Sequence, residues 1–372
     1  MKENLETFAK LRILLEVEGI GPSKLFNLLS KFTSLDNLIN ASYNQLIMVD
    51  GISQTLANKI LKKIDEYPIF LESAEKELNY LEKIDGKWIT FWSEDYPENL
   101  KNIFAPPIIL YYKGTLSNKD KNSVAIVGTR MPSNYGKKNA YDFAKNLSSQ
   151  GISVISGLAR GIDSSAHWGT VENNGRTVAI IGSGLDVIYP SENKKLFNKI
   201  TENGAVITEY VLGTKPDAQN FPKRNRIISG ISLGTLVIET KLSGGALQTA
   251  GFAIEQNREV FAIPGNLGNV QSEGCNLLIQ RSSAKLVTNI EDILIELKLK
   301  IAPKIGENIP KPVEDLNIFE QKIFDVLSHE PKHIDLISNE SKINSADCLV
   351  HLLSLEFRDL VKQLPGKIFV KY

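Results

Sequence analysis

From Ser123 to about residue 265, short apolar runs alternate with longer segments of helical period. The runs are Val124-Ala125-Ile126-Val127, Val154-Ile155, Val178 to Ile181, Ala205 to Ile207, Leu236 to Ile238 and Val260 to Ile263. Tyr135 to Leu147 and Ile162 to Val171 read as helices between them. Such alternation predicts an α/β fold with a doubly wound, Rossmann-like parallel sheet. Strands buried on both faces carry continuous hydrophobic runs without a polar alternation, as these do. Ahead of the sheet, Pro106 to Gly114 reads as a further apolar strand ending in a glycine turn.

The flanks follow other patterns. Up to about residue 66 the chain reads as short helices. Leu11 to Leu15 is apolar on one face, and Leu25, Leu28, Leu29 and Phe32 form an amphipathic run. Gly19-Ile20-Gly21-Pro22 precedes that run, and Val49-Asp50-Gly51-Ile52-Ser53 precedes Leu56 to Leu61. Both resemble the helix-hairpin-helix pattern, whose glycines let backbone amides approach a phosphate. Ser53 replaces the second glycine in the second copy. Two tight turns in a small bundle are the alternative reading. Beyond the sheet, Ile318 to Leu327, Ile334 to Ser338 and Ser345 to Leu355 read as three helices, and Lys362 to Val370 as a hairpin with a Pro-Gly turn. Three helices and a hairpin make a winged helix. Its third helix carries Asp347 and Glu356 and no cation before Arg358, which suits protein docking better than a DNA groove. The expected organisation is a helical domain at 1–83, the Rossmann-like domain at 84–298, a Pro- and Lys-bearing linker at 299–315, and the winged helix at 316–372.

Candidate chemistry lies at the strand ends, where open parallel sheets bind ligands. These ends carry Gly128-Thr129-Arg130, Ser156-Gly157 with Arg160, and Lys241 with Ser243-Gly244. Small residues allow close backbone approach, and hydroxyls, cations and helix starts hold oxyanions. The densest signal is Phe221-Pro222-Lys223-Arg224-Asn225-Arg226, where three cations stand within four residues. Phe221 offers a face for base stacking. A solvated helix start is the plain alternative. Asp163 and His167, four apart, are read as an oriented imidazole or as a helix-start carboxylate beside a structural histidine. Glu209 and Glu239 are read as an acid/base pair or as carboxylates orienting Arg224 and Arg226. Neither a Gly-x-Gly-x-x-Gly nor a P-loop sequence is present, so dinucleotide binding and P-loop hydrolysis are unsupported.

Composition narrows the picture. The 372 residues hold 43 Lys+Arg and 43 Asp+Glu, so a polyanion must meet a local patch and not a global field. Two cysteines and four scattered histidines argue against a disulfide scaffold and a zinc site, and no cofactor is expected. No secretory signal or membrane span is visible, which makes the cytoplasm the expected compartment.

Several stretches together resemble the bacterial DNA-processing protein A (DprA, or Smf) family. They are Ser156 to Asp163 with His167, Gly182 to Asp186, Tyr189 to Asn193, Phe221 to Gly230, Ser243 to Ala250, and Pro264-Gly265 with Gly274 to Ile279. The likeness covers roughly residues 90 to 290 in order. It implies a protein that binds single-stranded DNA without sequence preference, protects it, delivers it to the recombinase RecA in natural transformation, and forms a homodimer. By position, Gly128, Thr129 and Arg130 match the first phosphate-binding turn, and Lys223 to Arg226 the basic segment. Two departures stand out. Thr129 replaces the family's serine, and Arg281-Ser282-Ser283-Ala284 replaces a shorter Gly-Ala. A competing enzyme reading is a nucleoside-monophosphate N-glycosidase on a similar scaffold. The nearest match to that loop, Ser243 to Thr249, lacks its leading proline.

Overall fold

The computed structural model describes residues 4–299 and 316–371, apart from 329, 330, 359 and 365. The chain forms two compact units, divided at Pro303/Lys304. All of the expected linker except Leu299 lies outside the described residues, as does Pro365 of the expected Pro-Gly turn.

Unit one begins with helices α1 (Leu5–Leu15), α2 (Pro22–Phe32), α3 (Leu35–Ile39), α4 (Tyr43–Leu46), α5 (Gln54–Asp65) and α6 (Tyr67–Lys83). The two hairpin turns hold Gly19 at φ +97 and Gly51 at φ +79, a conformation that favours glycine. Ser53 replaces a glycine productively, because its hydroxyl accepts from Leu56 N and caps α5. Strands β1 (Gly86–Thr90) and β2 (Ile109–Gly114) follow. Phe8 of α1 packs on Trp88 of β1, ring centroids 4.9 Å apart, and edge-on against Tyr111 of β2. The first hairpin turn borders the sheet: Ile20, Gly21 and Pro22 share a cavity with Pro107, Ile109 and Val211.

The chain then runs β3 (Ser123–Gly128), α7 (Asn134–Ser149), β4 (Ser153–Ser156), α8 (Ile162–Val171), β5 (Thr177–Ile180), α9 (Lys194–Asn203) and β6 (Ala205–Thr208). It continues through α10 (Asn220–Ile231), β7 (Gly234–Ile238), α11 (Gly245–Glu255), β8 (Glu259–Ala262), α12 (Glu273–Gln280), β9 (Lys285–Leu286) and α13 (Ile290–Glu296). The nine strands pair in the order β1-β2-β6-β5-β4-β3-β7-β8-β9. Those from β3 to β9 are parallel, as expected for a doubly wound sheet. The sheet is not wholly parallel, however: β1 and β2 add an antiparallel pair at one edge. The connection from β1 to β2 carries only a short 3-10 turn at Glu98–Asn102 and no α-helical crossover of the kind that joins parallel neighbours.

Strands β3 to β8 each feed two cores, because successive side chains point to opposite faces. Val124 and Ile126 pack with Ala140, Phe143 and Leu147 of α7. Ala125 and Val127 pack with Ile227, Ile228 and Ile231 of α10 and Ala250 of α11. The longer Arg281–Ala284 turn places Ser282 at φ +54 and leaves β9 paired to β8.

Unit two contains α14 (Ile318–Val326), β10 (Lys332–His333), α15 (Ile334–Ser341), α16 (Ser345–Phe357), β11 (Val361–Leu364) and β12 (Ile368–Lys371). Ile323, Ile337, Leu352, Leu355 and Phe369 form its core. This is the expected three helices and hairpin, with β10 added to the sheet. The exposed face of α16 shows Leu349, Val350 and Leu353 beside Asp347, not a row of cations. No helix among the described residues is long and apolar enough to cross a membrane.

Candidate nucleic-acid interface

The carboxyl ends of β3, β4 and β5 surround a cleft of about 410 Å³, its open mouth included. Arg130, Gly157, Arg160, Gly182, Tyr189 and Phe221 are prominent in its wall. Phe221 opens α10 and leans on backbone that has no side chain to obstruct it: a Cβ at Gly182 would lie 3.0 Å from the ring. The Tyr189 ring stands 5.7 Å from that of Phe221, tilted by 33°. The exposed Arg130 guanidinium lies 5.2 Å from the Phe221 centroid, within cation–π range.

The three cations of the basic segment have three different settings. Lys223 is exposed. Arg224 is only 4% exposed and donates from Nη1 to the carbonyls of Gly157, at 2.7 Å, and Ile180. It therefore ties the ends of β4 and β5 together while lining the cleft. Burial lowers its pKa to about 10, which leaves it charged at neutral pH. A side chain at Gly157 would meet the same guanidinium and the Asp163 carboxylate at 2.7 Å, so it would displace this tie. Arg226 is ion-paired with Glu209, whose carboxyl is pushed up by burial and drawn back down by that partner. Asn225 between them is half-buried.

Other residues of the strand ends divide similarly. Arg160 is exposed at the cleft and paired with Glu192, Nη2 to Oε2 at 3.0 Å. Ser156 is fully buried, and its hydroxyl donates to Ile126 O at 2.6 Å within the sheet. Gly128 touches the next strand so closely that a Cβ would collide with Ile238 O. Thr129 N donates to Glu239 O at 2.7 Å, and its hydroxyl accepts from Met131 N. Lys241, Ser243 and Gly244 follow β7, on the far side of β3 from β4, and do not line the cleft.

The acid/base alternatives are corrected by position. Glu209 follows β6 and Glu239 follows β7, four strand spacings apart in the sheet, or about 19 Å. At that separation they cannot serve one reacting bond. Glu209 orients Arg226, whereas Glu239 does not orient Arg224. It accepts from Ser133 N at 2.8 Å and from the Ser133 hydroxyl at the start of α7. His167 is not oriented by Asp163. Its Nδ1 lies 2.7 Å from the Thr177 hydroxyl, which itself donates to Val154 O. The hydroxyl proton being spent, Nδ1 must be the donor, and burial drops the ring's pKa to about 3. Asp163 instead accepts from the amides of Gly157 and Ala159. Burial likewise lifts Cys275 to about 12 and keeps it an inert thiol. Among the described residues no His, Cys, Asp and Glu grouping fits a metal ion.

Sequence reasoning assigned no role to Tyr189 or Glu192, although both stand in the quoted Tyr189 to Asn193 stretch. Their backbone is folded into the site by Asn193, which donates to Leu158 O and Ser164 Oγ.

Comparison with known proteins places this geometry. Residues 87–298 match the family described as DNA recombination-mediator protein A. Residues 11–66 match a SAM-like helix-hairpin-helix tandem, and 309–367 a DprA winged helix domain. Protein Smf of Synechocystis is 34% identical over 94% of this chain and 95% of its own. DNA processing protein DprA of Streptococcus pneumoniae is 43% identical over 55% of this chain and 71% of its own. The X-ray structure of the pneumococcal protein superposes with a TM-score of 0.68 at 32% identity, covering 80% of this chain and 99% of that one. DNA processing protein A of Helicobacter pylori, described for its single-stranded DNA binding mode, gives 0.51 at 28% identity over 57% and 96%.

Proposed function

Since this chain belongs to the DNA recombination-mediator protein A family, we propose that it binds single-stranded DNA without sequence preference, in the cleft at the ends of β3, β4 and β5. The observation that carries the reading is the Arg130–Phe221 pair at the mouth of a cleft that Gly157 and Gly182 leave open to close approach. A base can lie against Phe221 and Tyr189, and its phosphate can reach Arg130, Lys223 and Arg160. Aromatic stacking is indifferent to base identity, since every base has a π-face. Gly157 acts by allowing close backbone approach in the cleft, whereas Gly128 and Thr129, held against the end of β7, set the position of Arg130. Ser156, Arg224 and Arg226 act one step back, as ties that hold the cleft in shape, and Asn225 lies beside them. Lys241, Ser243 and Gly244 extend the surface beyond β3. The H. pylori relative's reported binding of single-stranded DNA supports this reading.

On the same footing the protein works as a homodimer in the cytoplasm, shields incoming single strands, and loads RecA onto them in transformation and recombination without catalysing a reaction itself. Binding of labelled single- and double-stranded oligonucleotides across a salt series tests the core of this proposal. Single strands should bind more tightly, with a negative log–log salt slope. Equal affinity for duplex would refute it. Light scattering tests the dimer, and RecA-dependent ATP hydrolysis on protein-covered single strands tests the loading step.

A further inference from the structure

Beyond the cleft, the same rim of the sheet carries a second surface. Three adjacent parallel strands, β3, β7 and β8, end in loops that expose large aliphatic side chains. Met131 is 79% exposed, Leu242 56%, Leu267 94% and Val270 51%. The loops are joined: Gln271 donates to Met131 O at 3.2 Å, Tyr135 OH to Pro264 O at 2.9 Å, and Gly274 N to Thr240 O at 2.8 Å. Four large aliphatic side chains this exposed, on loops tied to one another, are more than scattered single residues and mark a docking site.

Building on the proposed cleft, we infer that the bound strand continues across β3 onto this platform, which takes bases on aliphatic side chains. Two features favour a polynucleotide over a protein. First, the platform is continuous with the cleft, since Arg130 and Met131 are consecutive. Second, the strand ends repeat one order, a cation followed by an exposed aliphatic: Arg130-Met131 after β3 and Lys241-Leu242 after β7. A polynucleotide presents phosphate and base in the same alternation. From β5 to β8 there are four strand spacings, about 19 Å. That is about six nucleotides at a stacked rise of about 3.4 Å. The cleft alone holds only the first few.

The experiment uses the full-length protein and fluorescent oligothymidylates of about three and about nine nucleotides, lengths that bracket the span of one such site. The variants are Met131→Ser/Leu267→Ser, Leu242→Ser and, as a control on the cleft, Arg130→Ala. Because the substituted aliphatics are exposed, urea midpoints should match the wild type. The serine variants should bind the short oligomer like wild type and lose about tenfold on the long one, the order expected for one aliphatic side chain losing its buried contact. No loss on the long oligomer would overturn the extension, as would equal loss on both lengths. A change in particle mass by light scattering without length-dependent loss would make the platform a contact between copies. Arg130→Ala should weaken both lengths; if it weakens neither, the cleft reading fails, whatever the platform does.

Discussion

The basic segment gives the sharpest test, because its cations are alike in sequence and unlike in structure. Counterion release on single strands contributes a log–log salt slope of about 0.7 per phosphate neutralised. Read as sequence, Lys223, Arg224 and Arg226 together give a slope near two. In the structure Arg226 is already neutralised by Glu209, and Arg224 is spent on two carbonyls inside the fold. Lys223 is exposed and Arg130 stands free over Phe221. Lys223→Ala and Arg130→Ala should therefore each flatten the slope by about 0.7, and Arg226→Ala should change it little. Arg130→Ala also removes a charged hydrogen-bond donor and a cation–π partner, about 2 kcal/mol together. That is roughly a 30-fold loss of affinity at low salt. Fluorescence anisotropy with oligothymidylate over a potassium chloride series measures both quantities. If Arg226→Ala flattened the slope as much as Lys223→Ala while Arg130→Ala did not, the division of labour drawn from the structure would be wrong.

Three further outcomes follow from buried groups. Arg224→Met should lower stability by about 3 kcal/mol, since two carbonyls lose a charged donor, and chemical denaturation reads this directly. Unchanged stability with a selective loss of DNA affinity would instead make Arg224 a contact residue. Glu239→Ala should cost about 1–2 kcal/mol by uncapping Ser133 at the start of α7. Glu239→Gly should be milder by about 1 kcal/mol, because the residue sits at φ +49. His167 titrates at about 3 when folded, against 6.5 for the free side chain, so the unfolded chain binds the extra proton. Stability is then full at neutral pH and falls below about pH 6.5, by about 2 kcal/mol at pH 5. Urea midpoints of a His167→Gln variant should decline less steeply over that range.

Strands β3 to β8 were legible because each buries both faces and so carries an apolar run. Edge strand β1, Gly86-Lys87-Trp88-Ile89-Thr90, is half-exposed at its start, and β9 is two exposed residues; neither leaves such a run. The fate of Arg224 was legible in principle. It stands three, four and seven residues before Ile227, Ile228 and Ile231, which is the inward face of α10. Clustered charge masked that phase. The Glu239–Ser133 contact was not legible, because it joins residues 106 apart in sequence. Only the docking of α7 against β7 brings them together.

That contact also explains where the site lies. In doubly wound sheets the ligand crevice opens at the switch point, where neighbouring strands lead to opposite faces. Here that point lies between β3 and β7, and it is closed. Gly128 abuts Ile238 O, Thr129 N is bonded to Glu239 O, and the Glu239 carboxylate occupies the start of α7. A helix start of this kind is where dinucleotide folds seat a phosphate. The protein's own carboxylate fills the place and would repel an incoming anion. A mononucleotide is thus left with the shallow Arg130–Phe221 cleft and few donors. In the proposed binding mode, affinity then comes from a ligand that repeats the same modest contacts along its length. On the proposed reading, the carboxylate that closes the nucleotide seat makes the rim of this sheet selective for a polymer.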